Sequence, residues 1–260
     1  METLLSFHSV DICFDDKSVV HNVSFSLQPG EILGIVGESG SGKSTIIKAA
    51  MGLLGRNGRV SRGEIFFKGD NINDLSENGM RQIRGAQMGM IFQDSAASLC
   101  PIRTVGSQIY ECLTAHEKIS RQEAKAKALD LFHKLGFKEG ERVWSSYPFE
   151  LSGGMNQRVG IVMAMLLNPS VLLADEPTSA LDVFVQKQVV LEMLRVRDLF
   201  GTAIILVTHD LGVISAMADN ILVLQNGNIM EYGVASDVLN SPKNEYTKML
   251  LSAVPKLRRN

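Results

Sequence analysis

EILGIVGESGSGKST, Glu31 to Thr45, decides the fold. An apolar stretch with strand character runs into a glycine-rich turn, and a helical pattern begins at Lys43. Inside it, GESGSGKS (Gly37 to Ser44) fits GxxxxGK[ST] in the strand–loop–helix setting that this pattern requires. Gly37, Gly40 and Gly42, with Ser39 and Ser41 between them, let the backbone wrap closely and turn several N–H groups onto one anion. The helix start adds roughly half a positive charge. Lys43 is spaced to reach the β- and γ-phosphates of a nucleotide, the Ser44 hydroxyl to ligate Mg²⁺, and Thr45 to touch the α-phosphate.

Upstream of this stretch, LLSFHSVDICF (residues 4–14) and VSFSL (23–27) read as strands, and Pro29-Gly30 marks a turn. Downstream, the helical pattern continues to about Leu53, and residues 64–68 and 88–92 read as short strands. From about Thr104 to Leu167 the pattern is helical. RQEAKAKALDLFHKLG (121–136) shows helical spacing, with Gly136 as a natural C-cap. Strand and helix then alternate: VLLAD, a helix over 183–199, AIILVT, a helix over 211–218, and ILVLQ. Such alternation implies an α/β fold with a parallel sheet covered by helices on both faces. The helical middle, about 93–169, reads as an insertion between 1–92 and 170–260.

The composition sets limits on function. With 45% hydrophobic and 21% charged residues, 260 residues suit a soluble globular protein that buries enough surface to need no covalent staples. A net charge of −2 gives no argument for nucleic acid. Cys13, Cys100 and Cys112 have no metal-ligand spacing and read as reduced thiols. The longest apolar run, near Ile161 to Leu167, is far short of the roughly 18 residues of a membrane span. Work at a membrane would therefore require a partner.

Further motifs carry chemistry. VLLADE (Val171 to Glu176) is an apolar strand ending in two acids. Asp175 would hold Mg²⁺, and Glu176, one residue further on, could polarise a water for in-line attack on the γ-phosphate. Gln93 ends MGMIFQ, where a neutral amide can ligate the metal and touch the attacking water; a lone Gln is ordinarily just surface. His209 follows AIILVT and could donate to the γ-phosphate; a lone His is more often structural. In LSGGMNQR (Leu151 to Arg158), Ser152 has N-cap character, and Gly153 and Gly154 expose N–H groups at a helix start. An ordinary capped helix needs no double glycine. The loop at Lys43 already surrounds one γ-phosphate, so this second element points to nucleotide held by another chain.

In order and spacing, the phosphate loop, Gln93, LSGG, VLLADE, SALD (Ser179 to Asp182) and His209 resemble the ATP-binding subunits of ABC transporters across essentially the whole chain. The resemblance implies an ABC-type P-loop ATPase with a RecA-like parallel-sheet core, an N-terminal antiparallel β subdomain and an inserted α-helical subdomain. It also implies a head-to-tail dimer with two ATPs sandwiched between the phosphate loop of one chain and the LSGG of the other. Phe14 falls where the family stacks an aromatic on adenine, and it reads equally as a strand residue of the core.

GIVGESGSGKS, MIFQDSAASLCP, YPFELSGGMNQR, ADEPTSALDV, THDLGVI and the tail NSPKNEYTKMLLSAVP, within 240–260, are similar to the oligopeptide/dipeptide/nickel import family. Met155 after SGG resembles one of two ATPase types that pair in these importers, so a sister ATPase is expected as partner, with a homodimer as the alternative. Ser95 and Cys100 depart from the family's usual Pro and Asn, in the segment facing the membrane partner. The family further implies two permease subunits, an extracytoplasmic substrate-binding protein and a place on the cytoplasmic face of the membrane. The end at Asn260, with no cysteine after Cys112, leans towards nickel or a metal chelate as cargo rather than peptide. The competing readings are a non-transport ABC ATPase on DNA or ribosomes, which would carry two cassettes or a coiled-coil insertion, and a generic P-loop kinase, in which LSGGMNQR and SALD have no role.

Overall fold

Alternating burial along the N-terminal segment builds an antiparallel sheet. In the computed structural model, which describes residues 3–179 and 181–253, β1 (Leu5–Phe14) pairs with β2 (Lys17–Leu27). β3 (Ile32–Val36) is buried along its whole length, as a strand covered on both faces should be. The helix of the opening stretch, α1 (Lys43–Ala50), stops short of the expected Leu53. Gly52 at φ +60 turns the chain, its N–H bonding to Ala49 O and that of Leu53 to Lys48 O. β4 (Gly58–Phe67) lies antiparallel to β1, and the short β5 (Asp70–Asn71) continues the sheet in the order β2-β1-β4-β5.

Next come α2 (Glu77–Ile83), β6 (Met88–Ile91), α3 (Ser95–Ser98) and α4 (Val105–Thr114), the last with Thr104 as its N-cap. α5 (Arg121–Lys134) begins with a capping box between Ser120 and Glu123. It ends at Gly136, where φ is +80, in a Schellman pair: Gly136 N–H to His133 O and Phe137 N–H to Phe132 O. The apolar contact that accompanies this motif is Phe132 on Phe137, with ring centroids 4.9 Å apart. α6 (Gly140–Ser145), α7 (Gly153–Met165), β7 (Val171–Asp175) and α8 (Val183–Phe200) follow. The chain finishes with β8 (Ala203–Val207), α9 (Leu211–Met217), β9 (Asn220–Gln225), β10 (Asn228–Val234), α10 (Ala235–Asn240) and α11 (Glu245–Ser252).

The chain divides into two units, Met1–Leu75 with Ile204–Asn260, and Ser76–Ala203. In the first, β3 is flanked in parallel by β8 and β9, and β10 runs antiparallel on β9. In the second, β6 and β7 pair in parallel. The α/β class, the parallel ladders and the N-terminal antiparallel sheet agree with the reading of the sequence. Ala180 of SALD and Pro255 of the tail lie outside the described residues.

The second unit's helical core closes around Trp144, which is buried and is the only tryptophan of the chain. A Cβ on Gly106 of α4 would lie 2.4 Å from Trp144 Cε2, so α4 passes the indole only as glycine. Gly106→Ala is expected to destabilise this unit by about 1–3 kcal/mol. Urea unfolding followed by Trp144 fluorescence checks it, and an unchanged midpoint would refute the packing.

Candidate functional site

The phosphate loop leaves β3 under steric constraint. A Cβ on Gly37 would lie 2.1 Å from the carbonyl oxygen of Leu224 on β9, and no rotamer relieves a clash with backbone. Gly42 is the N-cap of α1 at φ +102, a conformation open to glycine and strained for other residues. It supplies no side-chain cap, and the first turn of α1 holds no acid, so the helix N-terminus keeps its positive end available to an anion.

Lys43 is 5% exposed, and its Nζ donates to the carbonyls of Gly37 and Glu38, both at 2.8 Å. Ser41 is buried; its carbonyl accepts from Gly227 N–H at 2.9 Å, while its Oγ has no hydrogen-bond partner among the described residues. Ser39 and Gly40 are exposed at the tip, and Ser44 and Thr45 are half-buried in the first turn of α1. A buried ammonium, an orphan hydroxyl and an uncapped helix start form a donor set that fits a polyphosphate.

Two further candidates share this unit. Ile35 of β3 stands opposite Val207 of the parallel β8, so the phosphate loop and His209 leave the same end of the sheet. His209 is exposed there, between Thr208, whose Oγ1 accepts from Asp210 N–H at 3.0 Å, and Asp210, which caps α9. Phe14 is half-buried at the end of β1, and a Cβ on Gly58 would lie 2.8 Å from its Cε1. One ring edge is thus packed, consistent with either role read for Phe14.

The second unit holds the carboxylates. Ile91 of β6 stands opposite Ala174 of β7, so Gln93 and the Asp175–Glu176 pair leave the same end of this parallel pair. Asp175 is buried, and Gln93 is exposed. Glu176 takes φ +47, a left-handed conformation that costs a non-glycine residue about 1 kcal/mol or more and is maintained only where the surroundings impose it. Both acids engage neighbouring groups.

LSGG starts α7 as expected: Ser152 is the N-cap, with Oγ accepting from Met155 N–H at 3.2 Å. The two glycines serve different ends. Gly153 faces open space, whereas a Cβ on Gly154 would lie 2.4 Å from Val185 Cγ1 of α8. α7 touches the segment beyond Gln93 through Gly160, where a Cβ would meet Ser95 Oγ at 2.6 Å, and about 12 Å of helix separates that contact from Ser152.

Sequence reasoning missed the support of this helix. Arg158 of α7 pairs with Glu192 of α8, both nearly sealed from solvent, and its guanidinium lies 4.1 Å from the Phe137 ring centroid. A groove of about 610 Å³ opens beside Ser152 and Met155, lined also by Arg142, Arg158, Glu192 and Arg195. Burial pushes the Glu192 carboxyl up to about 7 against the opposing pull of Arg158 and Arg195. The spacing 158 to 192 has no local periodicity to reveal it.

The model of the family described as "ABC transporter" matches residues 20–179, which hold the phosphate loop, Gln93, LSGG and both acids. This chain belongs to that family. The ABC ATPase is 41% identical over 259 residues to the oligopeptide transport ATP-binding protein AmiE of Streptococcus pneumoniae, covering 98% of this chain and 73% of that one. It is 46% identical over 242 residues to the oligopeptide transport ATP-binding protein OppD of Salmonella typhimurium, covering 93% and 72% respectively. Among solved structures, the ATP-binding cassette MJ0796, a dimer bound to ADP and Pi, superposes with a TM-score of 0.77 at 26% identity over 89% of this chain and 99% of that one. CbiO1 from Clostridium perfringens shares the fold, with a TM-score of 0.82 at 24% identity over 93% of this chain and 92% of that one.

The raised Glu192 gives the ABC ATPase a pH signature. Its folded state binds this proton more tightly than the unfolded chain, whose carboxyl has the ordinary value of 4.5. The stability contributed by this group is therefore full below about 4.5 and is lost as pH rises to about 7. Wild-type stability relative to Glu192→Gln should fall across that window and level off above it. Urea denaturation at several pH values measures the difference, and a flat difference would refute the assignment.

Proposed function

We propose that this ABC ATPase is the ATP-hydrolysing subunit of a bacterial importer of oligopeptides or dipeptides. One observation carries the reading: the relatives named as oligopeptide transport proteins are similar over nearly all of this chain, not over the phosphate loop alone. A dipeptide transport ATP-binding protein of Lactococcus lactis is 42% identical over 241 residues. These names weigh the cargo towards peptides and away from the nickel or chelate reading of the sequence.

The residues take these roles. Lys43 and the N–H groups of Gly37 and of Ser39 to Thr45 hold the phosphates of ATP, and the Phe14 ring stacks on adenine. Ser44, Gln93 and Asp175 supply oxygen ligands to Mg²⁺, which suits a hard cation. When bound, the metal neutralises charge on the β- and γ-phosphate oxygens. Glu176 polarises the attacking water as general base, and His209 and Gln93 sense the γ-phosphate from their strand ends. Ser152, Gly153 and Gly154 hold the γ-phosphate of ATP bound to a partner chain.

ATP then has more contacts in the closed dimer than in the open one, and that difference in affinity shifts the population towards closure. Hydrolysis removes the shared phosphate and reopens it. The partner chain is a sister ATPase. In this assignment residues 93–169 form the helical subdomain and move the permeases. Its surface supports that role: Ile102 is 81% exposed and Phe149 71%, and the Phe149 ring stacks on Tyr147 at 5.4 Å. Two permeases and an extracytoplasmic substrate-binding protein complete the assembly, with this chain on the cytoplasmic face. No helix among the described residues is long and apolar enough to cross a membrane, so attachment runs through the permeases.

Two measurements test this. Glu176→Gln should lower hydrolysis at least about 10²-fold while ATP drives a stable dimer; normal turnover would remove Glu176 from the chemistry. Uptake of labelled peptide and of nickel by cells with and without the chain tests the cargo. Loss of peptide uptake is expected, and loss of nickel uptake alone would overturn the peptide reading.

A further inference from the structure

The C-terminal helix reaches the phosphate loop. Tyr246, in the first turn of α11, is 7% exposed, and its hydroxyl accepts a hydrogen bond from the backbone N–H of Glu38 at 3.3 Å. On the other side of the same residue, the Glu38 carbonyl accepts from Lys43 Nζ at 2.8 Å. Glu38 is thus held at both ends of its backbone, by the phosphate-binding lysine and by a tyrosine 208 positions away in sequence.

The helix carrying Tyr246 is itself anchored. Asn244 caps α11, with Oδ1 accepting from Tyr246 N–H at 2.8 Å. The two carboxylate oxygens of Glu231 on β10 accept from Lys243 N–H at 2.8 Å and Asn244 N–H at 3.1 Å. Burial first, and then the Glu38 carboxylate, raise the Tyr246 phenol above its ordinary value, so the hydroxyl stays neutral near pH 7. A continuous path therefore runs from β10 through the start of α11 to the loop.

We propose that Tyr246 is a positioning residue for the phosphate loop and that α11 thereby sets the affinity of the loop for ATP. The Glu38 amide is fixed in its turn before nucleotide arrives, and the neighbouring loop N–H groups do not have to be ordered when the phosphates bind. A partner that displaced α11 would weaken ATP binding without touching any residue that meets the nucleotide. The inference rests on the assignment of ATP to this loop.

Tyr246→Phe removes the hydroxyl and keeps the buried ring. It should raise the Kd and KM for ATP about three- to tenfold, the value of one net hydrogen bond, with kcat within about twofold of wild type. Amide hydrogen exchange at Glu38 in the nucleotide-free protein should accelerate as well. Glu231→Gln, which weakens the anchor of α11, should shift KM in the same direction by less. If wild type binds ATP and Tyr246→Phe leaves Kd, KM and Glu38 exchange unchanged, the positioning role is overturned while the loop assignment stands. If Tyr246→Phe lowers kcat with KM unchanged, Tyr246 acts elsewhere and the role is overturned too. Failure of wild type to bind ATP, or binding unaffected by Lys43→Ala, overturns the loop assignment and the positioning role together.

Discussion

Where β3 ends, the backbone passes so near β9 that a Cβ on Gly37 would overlap the carbonyl oxygen of Leu224. Much of the nucleotide site follows from that approach. The next residues must turn back at once, and they do so through Gly40 and Gly42, both with positive φ. The turn is tight enough for Lys43 Nζ to reach two carbonyls of its own loop, and it leaves the first turn of α1 without a capping side chain. The loop is further tied by Gly227 to the Ser41 carbonyl and by Tyr246 to Glu38. A site that must gather polyphosphate charge is therefore ordered by packing and backbone bonds, with an uncapped helix start aimed at the anion.

Much of this was legible in the sequence. β3, β7 and β8 are continuous apolar runs because they are buried on both faces, and their ends fall within a residue or two of the expected ones. Ser152 and Gly136 also announce their helix ends, since capping chemistry is local. The first half of β2, the start of β4 and all of β10 were not read as strands. They are rich in exposed and half-buried positions, and what defines them is pairing with distant strands. α10 and α11 span only six and eight residues, too short for a helical period to stand out in the sequence. The bonds Arg158–Glu192 and Glu38–Tyr246 join residues far apart in sequence, and no periodicity encodes such a meeting.

The double glycine of the signature serves two ends. Gly153 is open, as an N–H donor at a helix start should be, whereas Gly154 also makes room for Val185 of α8. The helix that presents Ser152 is tied to that same α8 by the buried hydrogen bond from Arg158 to Glu192. A cluster of three or more His, Cys, Asp or Glu side chains able to hold a metal ion is absent among the described residues.

Ser152, Gly153 and Gly154 are proposed to act on ATP held by a partner chain. Trapping a photoreactive ATP analogue on the assembled transporter, with Gly153→Asp in this chain alone, where a side chain enters open space, tests it most directly. Trapped label should be lost from the partner ATPase and retained on this chain's own phosphate loop. Loss of label from this chain, with the partner still labelled, would contradict it.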